Sequence, residues 1–358
     1  MTTFGVSAIA TFEPALAISN DWFEGRLKKK FVKHTGILSR YISFENEVQM
    51  GRHAADVLVR ETGCDLNDCA GLVFVSPSLI PMSVACRFFD RLRAKEEQPT
   101  RLAGHLADAL GLTPRRILGI NSFCSGYARG LSIIRNRLVH TLELMENEFV
   151  LLVTSSRISR ITDFSCELTG ALFGDLATIT LLSRCDSRKY PPRFEVVDAK
   201  YKRKEVYRPF FDFAKKKGVL VPTSDGSSQI LNESVVFSLD GMGIADTAPR
   251  AMTEAAVQMI QSAGLKADDI QCIVPHQAGT GIVHQTKLRL EDAGFRAKII
   301  NGLTEKTGNV SSCSVPLSLK QVWDELNGYV LCPVAAVGAP GKCEVSQGCI
   351  LLRSTDHS

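Results

Sequence analysis

The sequence predicts an α/β protein made of two similar halves, and two observations support this fold class. Short apolar runs alternate with stretches of helical periodicity along most of the 358 residues. Apolar runs of this kind are typical of strands that are buried on both faces of a mostly parallel sheet. The alternation is interrupted over residues 187–229 and then resumes, which predicts a first half at 1–186 and a second half at 230–358.

The first half is predicted to contain a sheet and a helix that follows one of its strands. The N-terminal stretch is interpreted as a first strand rather than a signal peptide, because no basic residue precedes its apolar run. Leu131, Ile134 and Leu138 recur at helical spacing and predict a helix. The further strands of this half are predicted over residues 71–76, 116–121, 149–154 and 177–182.

The middle segment is predicted to be a long, partly irregular and basic connection. Pro191, Pro192 and the turn-forming residues 224–228 interrupt any regular pattern. Eight Lys or Arg residues lie between positions 200 and 217 against two acidic residues, and five more lie between positions 26 and 33. These two basic clusters are either solvated loops or a docking face for an acidic partner.

The second half repeats the α/β pattern. Residues 247–263 are predicted to form a helix with Pro249 near its start, where helices tolerate proline. A second helix is predicted over residues 314–326. Strands are predicted over residues 270–274, 329–337 and 349–353.

Composition excludes several classes of protein. Apolar residues make up 45% of the chain and charged residues 22%, an ordinary globular balance, and no apolar run reaches the ~18 residues of a membrane span. The net charge of +4 is too small to indicate nucleic-acid binding. None of the eleven cysteines forms a Cys-x-x-Cys pair, which argues against a zinc site. Many thiols without a signal peptide predict a cytoplasmic protein.

Cys124 is the first candidate for chemistry. It follows the predicted strand at 116–121 and precedes the predicted helix. The first turn of a helix carries free N–H groups and the positive end of the helix dipole, which favour a thiolate and can stabilise an oxyanion. Ser125 and Gly126 are small enough to let a substrate approach closely. The alternative is that Cys124 is a packed core thiol.

His276 and Asn309 are the other two candidates. His276 lies at the end of a predicted strand, where ligands of open α/β sheets usually bind, and Asn309 lies in a Gly/Asn/Ser turn before a helix. Taken alone, the histidine is equally compatible with a structural role and the asparagine with a turn or a helix cap. Together with Cys124 they form a nucleophile and two N–H donors at the ends of α/β elements.

Several motifs occur in an order known from one family. They are Thr35-Gly36-Ile37, Cys-Ser-Gly-Tyr-Ala at 124–128, Ser159-Arg160, Phe173-Gly174-Asp175, Pro275-His276-Gln277-Ala278 and Gly308-Asn309. With them the chain resembles the thiolase superfamily and, within it, the β-ketoacyl-acyl-carrier-protein synthase III branch. The resemblance covers nearly the whole chain. It implies a thiolase-like fold, in which two similar α/β halves form a layered αβαβα core, and a homodimer.

The resemblance also implies an acyltransferase mechanism. Cys124 takes an acyl group from a thioester, and His276 and Asn309 donate hydrogen bonds to a second thioester, malonyl or β-ketoacyl, on acyl carrier protein. Decarboxylation of that thioester gives a carbanion, which attacks the acyl-cysteine. No metal and no cofactor beyond the substrates' phosphopantetheine arm is implied. The implied setting is fatty-acid-like, polyketide or other specialised acyl biosynthesis.

The chain departs from the family where acyl-CoA-using members hold the nucleotide. The positions of the family's tryptophan and arginine before Thr-Gly-Ile are Lys30 and His34, and another arginine position is Glu167. Gly279 and Gly281 replace an asparagine and an arginine after His-Gln-Ala. A site without aromatic stacking and phosphate-pairing arginines should hold CoA poorly. A carrier-protein donor is therefore expected, and the two basic clusters are candidate contacts for it.

Two further departures concern the acyl pocket and the oxyanion hole. Extra residues at about 87–101 predict a changed pocket floor in the partner subunit, near Ile80 and Met82, and Glu96 or Glu97 is a weaker candidate to reach the partner's site. The family's glycine-rich loop, which supplies the second oxyanion donor, has fewer glycines here, over residues 338–345. The predicted substrate or carrier contacts are Lys30, His34, Ile80, Met82, Gly279 and Gly281.

Three functions remain open at this point. The first is a condensing enzyme that joins two acyl thioesters. The second is an acyltransferase of the same fold that passes the acyl group to an alcohol or amine without forming a carbon–carbon bond, and the retained Asn309 argues against it. The third is a non-catalytic subunit, which the presence of Cys124 disfavours.

Overall fold

The computed structural model describes residues 3–28, 30–80, 82–88 and 98–355, without the side chains of residues 82–84. The strands are β1 Phe4–Phe12, β2 Leu16–Ser19, β3 Ser39–Ile42, β4 Cys69–Ser76, β5 Arg116–Asn121, β6 Phe149–Ser156, β7 Leu176–Arg184, β8 Phe194–Glu205, β9 Phe211–Pro222, β10 Ser228–Leu239, β11 Ile270–Ile273, β12 Lys298–Ile299, β13 Tyr329–Val337 and β14 Glu344–Ser354. The α-helices are α1 Lys30–Thr35, α2 Glu47–Thr62, α3 Met82–Phe88, α4 Pro99–Ala109, α5 Gly126–Ile133, α6 Val139–Leu142, α7 Glu167–Gly170, α8 Gly241–Ser262, α9 Thr280–Asp292 and α10 Ser314–Gln321.

Ten of these strands form one sheet in the order β12-β11-β13-β14-β8-β1-β7-β6-β4-β5. The sheet consists of two five-stranded halves, because β8 and β1 are joined only by the pairs Gly5 with Glu195 and Val6 with Phe194. Within the sheet β4 runs parallel to β5 and β6, and β11 runs parallel to β12 and β13. The remaining described neighbours are antiparallel, so the prediction of a mostly parallel sheet is wrong. Strands buried on both faces have the same apolar pattern in either direction, as the antiparallel pair β6 and β7 illustrates.

The two half-sheets enclose a central helical layer. Helix α5 contacts β4 and β6 of the first half and β8 and β14 of the second, and α10 packs against β1 and β7. Helices α2 and α4 cover the outer face of the first half, and α8 covers that of the second, with α9 packed against it. The core between the sheets combines residues of both halves, such as Val73, Leu131, Val330 and Ile350. The layered αβαβα arrangement is therefore confirmed.

The segment 187–229 is not an irregular connection, and that prediction is wrong. Strand β8 belongs to the main sheet, and β9 and β10 form a separate two-stranded hairpin whose turn contains the predicted turn residues. The prolines precede β8, so they do not interrupt a strand. The basic residues at 200–217 other than Arg208 belong to the strands themselves, on exposed positions such as Lys215 and Lys217. The assignment of the two halves as separate domains stays a prediction.

Most other predicted elements are present. Strand β5 and strand β13 have the predicted bounds, and the predicted strands at 71–76, 149–154 and 177–182 are two or three residues longer. The strand predicted at 349–353 begins five residues earlier, at Glu344. Helix α8 begins at Gly241 because the Asp240 carboxylate accepts a hydrogen bond from the N–H of Gly243 at 3.1 Å. Pro249 consequently lies inside the helix rather than near its start. No helix in the described ranges is long and apolar enough to cross a membrane.

Candidate active site

Cys124 lies in the turn between β5 and α5. The Phe123 carbonyl accepts the N–H of Gly126 at 2.7 Å, and α5 begins only at Gly126. Glycine is required there, because a Cβ atom would lie 2.6 Å from Val75 Cγ1. Desolvation raises the pKa of the Cys124 thiol to about 11, opposed by hydrogen bonds from Ser311, from its own backbone and from Asn309. The expected lowering of this pKa is therefore wrong, because burial outweighs the N–H donors.

His276 extends the pairing of β11 with β13. Its N–H donates to the Pro333 carbonyl at 3.0 Å, one step beyond the bond from Val274 to Leu331. Both ring nitrogens are buried, and neither has a hydrogen-bond partner among the described residues. Burial lowers the pKa of the imidazole to about 3, so the ring is neutral near pH 7. A neutral imidazole offers one N–H donor and takes up a proton poorly.

Asn309 is fixed from both sides of its backbone. Its N–H donates to the Leu172 carbonyl at 2.9 Å, and its own carbonyl accepts from the Gly174 N–H at 3.2 Å. The side-chain oxygen Oδ1 accepts from the Ser311 N–H at 2.9 Å. Because the oxygen is engaged in this way, the amide nitrogen Nδ2 is the atom left to face Cys124 and the open space beside it.

The three predicted residues line one pocket. Cys124, His276 and Asn309 come from three separate strand or turn ends and share the same cavity. The remainder of its wall is almost entirely apolar, and the described lining residues are Phe123, Leu172, Phe173, Phe211, Phe237, Leu239, Ile244, Thr247, Ala248, Ala251, Ala278, Ile282, Ala335, Ala336, Val337 and Val345. A thiol and two N–H donors in an apolar cavity suit an acyl thioester better than a charged substrate.

The β9–β10 hairpin supplies an aromatic wall that the sequence reasoning missed. The ring of Phe211 lies edge-on to that of Phe123 with centroids 4.6 Å apart, and Phe237 packs against Phe211 at 5.9 Å. The alternation of Phe211 and Phe213 with polar residues is a strand pattern that would have revealed this wall. The prediction of an irregular segment over residues 187–229 does not include this strand.

Two family models match this chain, one in each half. The model described as 3-Oxoacyl-[acyl-carrier-protein (ACP)] synthase III matches residues 118–200, which include Cys124. The model described as the C terminal of the same synthase matches residues 260–339, which include His276 and Asn309. The chain is a synthase III-like member of the thiolase superfamily.

Whole-length comparisons agree with the two family models. The β-ketoacyl-[acyl-carrier-protein] synthase III of Clostridium beijerinckii is 25% identical over 336 residues, which are 91% of this chain and 92% of that protein. The enzyme of the same name from Oceanobacillus iheyensis is 26% identical over 295 residues, 81% of this chain and 79% of that protein.

Solved structures share the fold. The 3-oxoacyl-(acyl carrier protein) synthase III of Pseudomonas aeruginosa has a TM-score of 0.68 at 18% identity and covers 99% of both chains. The priming β-ketosynthase of the R1128 polyketide pathway has a TM-score of 0.67 at 20% identity, covering 99% of this chain and 98% of that one.

Gly279 and Gly281, two positions at which this synthase III-like chain departs from the family, lie against the backbone at the end of α1. A Cβ at Gly281 would lie 2.6 Å from the carbonyl oxygen of His34, and one at Gly279 would lie 3.3 Å from Thr35 Cα. Gly279 also has a φ of +135°, which favours glycine. These glycines therefore let the end of α1 lie directly against the start of α9. Larger residues have no room there.

The other predicted contacts are dispersed. Lys30 and His34 are exposed on α1, and Ile80 is buried against the phenylalanine cluster around Phe123. The structure places none of these, nor Gly279 or Gly281, in the described pocket wall, although Ala278 and Ile282 beside the glycines belong to it. The side chain of Met82, and Glu96 and Glu97, lie outside the described residues.

Glu167 binds the segment that precedes α1. Its Oε1 accepts the Lys28 N–H at 2.8 Å, and its Oε2 lies 3.4 Å from Lys28 Nζ. In this synthase III-like chain the charge reversal therefore serves a structural contact. A carboxylate at this position also repels phosphate groups.

The basic residues of β8 and β9 are largely paired. Of the eight Lys and Arg residues at 200–217, seven form ion pairs with acidic neighbours. The pairs are Lys200 with Asp198, Lys202 and Lys204 with Glu254, Arg203 with Glu344, Arg208 with Asp240, Lys215 with Glu233 and Lys216 with Asp163. This cluster is therefore a poor docking face for an acidic partner, whereas Lys30 and Lys33 are exposed on α1.

Three backbone amides of the loop between β13 and β14 already donate hydrogen bonds, so they are not available as the second oxyanion donor. The N–H of Gly338 donates to the Glu344 carbonyl at 3.0 Å, and that of Gly341 donates to the Phe211 carbonyl at 2.8 Å. The N–H of Ala339 donates to the Glu344 carboxylate at 2.9 Å. Pro340 has no N–H group. The glycine-poor loop thus forms a closed turn of its own in this synthase III-like chain.

Proposed function

We propose that the protein is a condensing enzyme that joins two acyl thioesters by a decarboxylative Claisen reaction. The single observation that carries this proposal is that the His276 ring and Asn309 lie on the pocket that also contains Cys124. Neither His276 ring nitrogen has a hydrogen-bond partner among the described residues, and Asn309 Oδ1 is held by the Ser311 N–H, which leaves Nδ2 as the donor. Two fixed donors in an apolar cavity stabilise negative charge on a thioester oxygen much better than water does. The synthase III names of the relatives support the same assignment.

The reaction proceeds in two stages. Cys124 Sγ first attacks a donor thioester, and the donor's thiol leaves with the proton that the cysteine has lost. A malonyl thioester then loses CO₂ from its free carboxylate, and the electron pair of the broken bond becomes an enolate whose oxygen accepts hydrogen bonds from His276 and Asn309. The enolate carbon attacks the acyl-cysteine carbonyl, and Cys124 leaves as a thiolate.

The state of His276 fits this route. Burial holds the pKa of its imidazole at about 3, so it acts as a donor rather than as a base. Decarboxylation itself supplies the carbon nucleophile, so no base has to remove a proton from carbon. The proposed enzyme therefore needs no cofactor other than the phosphopantetheine arm of its substrates.

Following the carbon of the extender tests the proposal. The protein is loaded with an unlabelled acyl thioester and then given malonyl-carrier protein with ¹³C at the carbons that decarboxylation retains. We expect a β-ketoacyl product that contains both labelled carbons, and none from Cys124→Ala. An unlabelled ester or amide would contradict the proposal and favour the non-condensing acyltransferase.

We further propose that acyl carrier protein rather than CoA is the acyl donor. The contact of α1 with α9 and the bond between Glu167 and Lys28 support it, because both occupy the surface where relatives that use CoA hold the nucleotide. The exposed Lys30 and Lys33 are the proposed contacts for the acidic carrier.

The donor is tested by the intact mass of the protein after incubation with one acyl group presented on CoA or on carrier protein. We expect the acyl adduct to form at least tenfold faster from carrier protein, and Cys124→Ala serves as the blank. Equal rates from both donors would contradict the carrier assignment without affecting the condensing proposal.

The remaining assignments are also proposals. A homodimer would add a second copy at β5, which is the last strand of the ten-stranded sheet. A role in specialised acyl or polyketide biosynthesis is supported by the similarity in fold to a priming ketosynthase. A cytoplasmic location stays a prediction.

A further inference from the structure

Ser311 is a buried hydroxyl group beside the nucleophile. Its side-chain oxygen lies 3.6 Å from Cys124 Sγ, and the residue is fully buried. Within the described residues Cys124 is the only hydrogen-bond partner of this hydroxyl. The group therefore has no structural hydrogen bond of its own there, and its proton is free to point at the sulfur.

The backbone at Ser311 is held in an unusual conformation. Its φ is +52°, in the left-handed region that serine rarely occupies. The hydrogen bond from its N–H to Asn309 Oδ1 fixes the turn, and the same bond orients the Asn309 amide. Strain of this kind persists where the surrounding structure enforces it, which is frequent at active sites.

Ser311 is the only side-chain hydroxyl with a hydrogen bond to the Cys124 sulfur in the described part of the chain. Ser312, the next residue, is also buried, but its hydroxyl has no hydrogen-bond partner within the described residues. The backbone amides of the loop between β13 and β14 are already engaged: those of Gly338 and Ala339 donate to Glu344, and that of Gly341 donates to Phe211. Asn309 and the Cys124 backbone also donate toward the sulfur. His276 and Asn309, however, are assigned to the second thioester, so Ser311 is the side-chain donor without another assigned role.

We propose that the Ser311 hydroxyl donates a hydrogen bond to the Cys124 thiolate and is a catalytic residue of this site. The bond forms when Cys124 loses its proton and attacks the donor thioester. It forms again when the acyl–sulfur bond breaks, because the new carbon–carbon bond returns that electron pair to Sγ. This inference rests on the proposed function only in that Cys124 is the nucleophile.

The thiolate can be measured without any acyl substrate. Iodoacetamide alkylates cysteine thiolates, and the peptide that contains Cys124 distinguishes it from the exposed Cys86, Cys166 and Cys343. Rates are measured between pH 7 and pH 10. We expect Ser311→Ala to slow alkylation of Cys124 about tenfold at each pH, which corresponds to a thiol pKa about one unit higher.

Two further variants separate the hydroxyl from the backbone strain. Ser311→Gly removes the hydroxyl and also suits the positive φ, so it should fold at least as well as the wild type and slow alkylation to the same extent. Ser312→Ala is the matched control, because the Ser312 hydroxyl has no hydrogen-bond partner among the described residues, and it should leave the rate unchanged.

Each outcome decides the inference. Equal slowing in Ser311→Ala and Ser311→Gly supports it. A wild-type rate in Ser311→Gly overturns it, whatever Ser311→Ala does, because the hydroxyl would then be dispensable. If Ser312→Ala slowed alkylation of Cys124 as much as Ser311→Ala, the inference would also be overturned, because the effect would then arise from packing. If the alkylation rates were as expected but the wild type formed no condensation product, the proposed function would be refuted and the inference about Ser311 would stand.

Discussion

Replacing His276 by alanine is expected to slow condensation about 100-fold to 1,000-fold while Cys124 still accepts an acyl group. The loss of one preformed donor to an oxyanion typically has an effect of this size. In the proposed mechanism the imidazole acts on the second thioester, so the first stage should not need it. Intact mass measures acylation, and the rate of β-ketoacyl product formation measures condensation.

Asn309→Ala is the companion variant, with one difference. Asn309 also holds the N–H of Ser311 through Oδ1, so its loss should disturb the thiol environment as well as the second thioester. His276 makes no side-chain hydrogen bond to another described residue, so its replacement isolates the condensation step. Loss of acylation in His276→Ala would show that the histidine serves the first stage and would refute the assigned role.

Gly174→Ala is expected to lower the free energy of unfolding by about 2 to 3 kcal/mol and to impair condensation. A Cβ at Gly174 would lie 2.1 Å from the Thr307 carbonyl oxygen, and the backbone has to move to relieve the clash. The Gly174 N–H holds the Asn309 carbonyl at 3.2 Å, so this movement displaces the Asn309 side chain from the position that the proposed mechanism needs. Denaturant unfolding and product formation measure the two effects.

Gly104→Ala is the matched control for that substitution. Gly104 lies within α4, and a Cβ there meets no atom within 4 Å. Alanine has the higher helix propensity, so this variant should be as stable as the wild type or more stable by up to about 1 kcal/mol. If Gly174→Ala unfolded at the same denaturant concentration as the wild type, the close contact at Thr307 would not be a real constraint.

Two of the candidate catalytic residues could be predicted because each follows a regular element. His276 follows the apolar strand β11, and Cys124 follows β5, whose bounds the apolar pattern gives correctly. Their approach to one another is a consequence of tertiary pairing, such as the bond from His276 to Pro333. From the sequence, the closeness of these residues could be predicted only through the resemblance to the family.

The missed features have a common physical origin. The pKa of Cys124 depends on how completely the fold excludes water around the sulfur, and local helix geometry does not determine that. The aromatic wall of Phe211 and Phe237 lies on a hairpin whose lysines suggest a loop. The charge of Lys216, for example, is satisfied by Asp163, which is distant in sequence. The role of Ser311 depends on a backbone angle that residue type does not reveal.

The narrow junction between the half-sheets has a consequence for cooperativity. Only two residue pairs join β1 to β8, yet one continuous apolar interior with α5 at its centre spans both halves. Neither half can lose its structure without exposing the inner surface of the other to water. Loss of catalytic geometry and loss of the native state are therefore expected to be a single event, which makes activity a direct reporter of global unfolding.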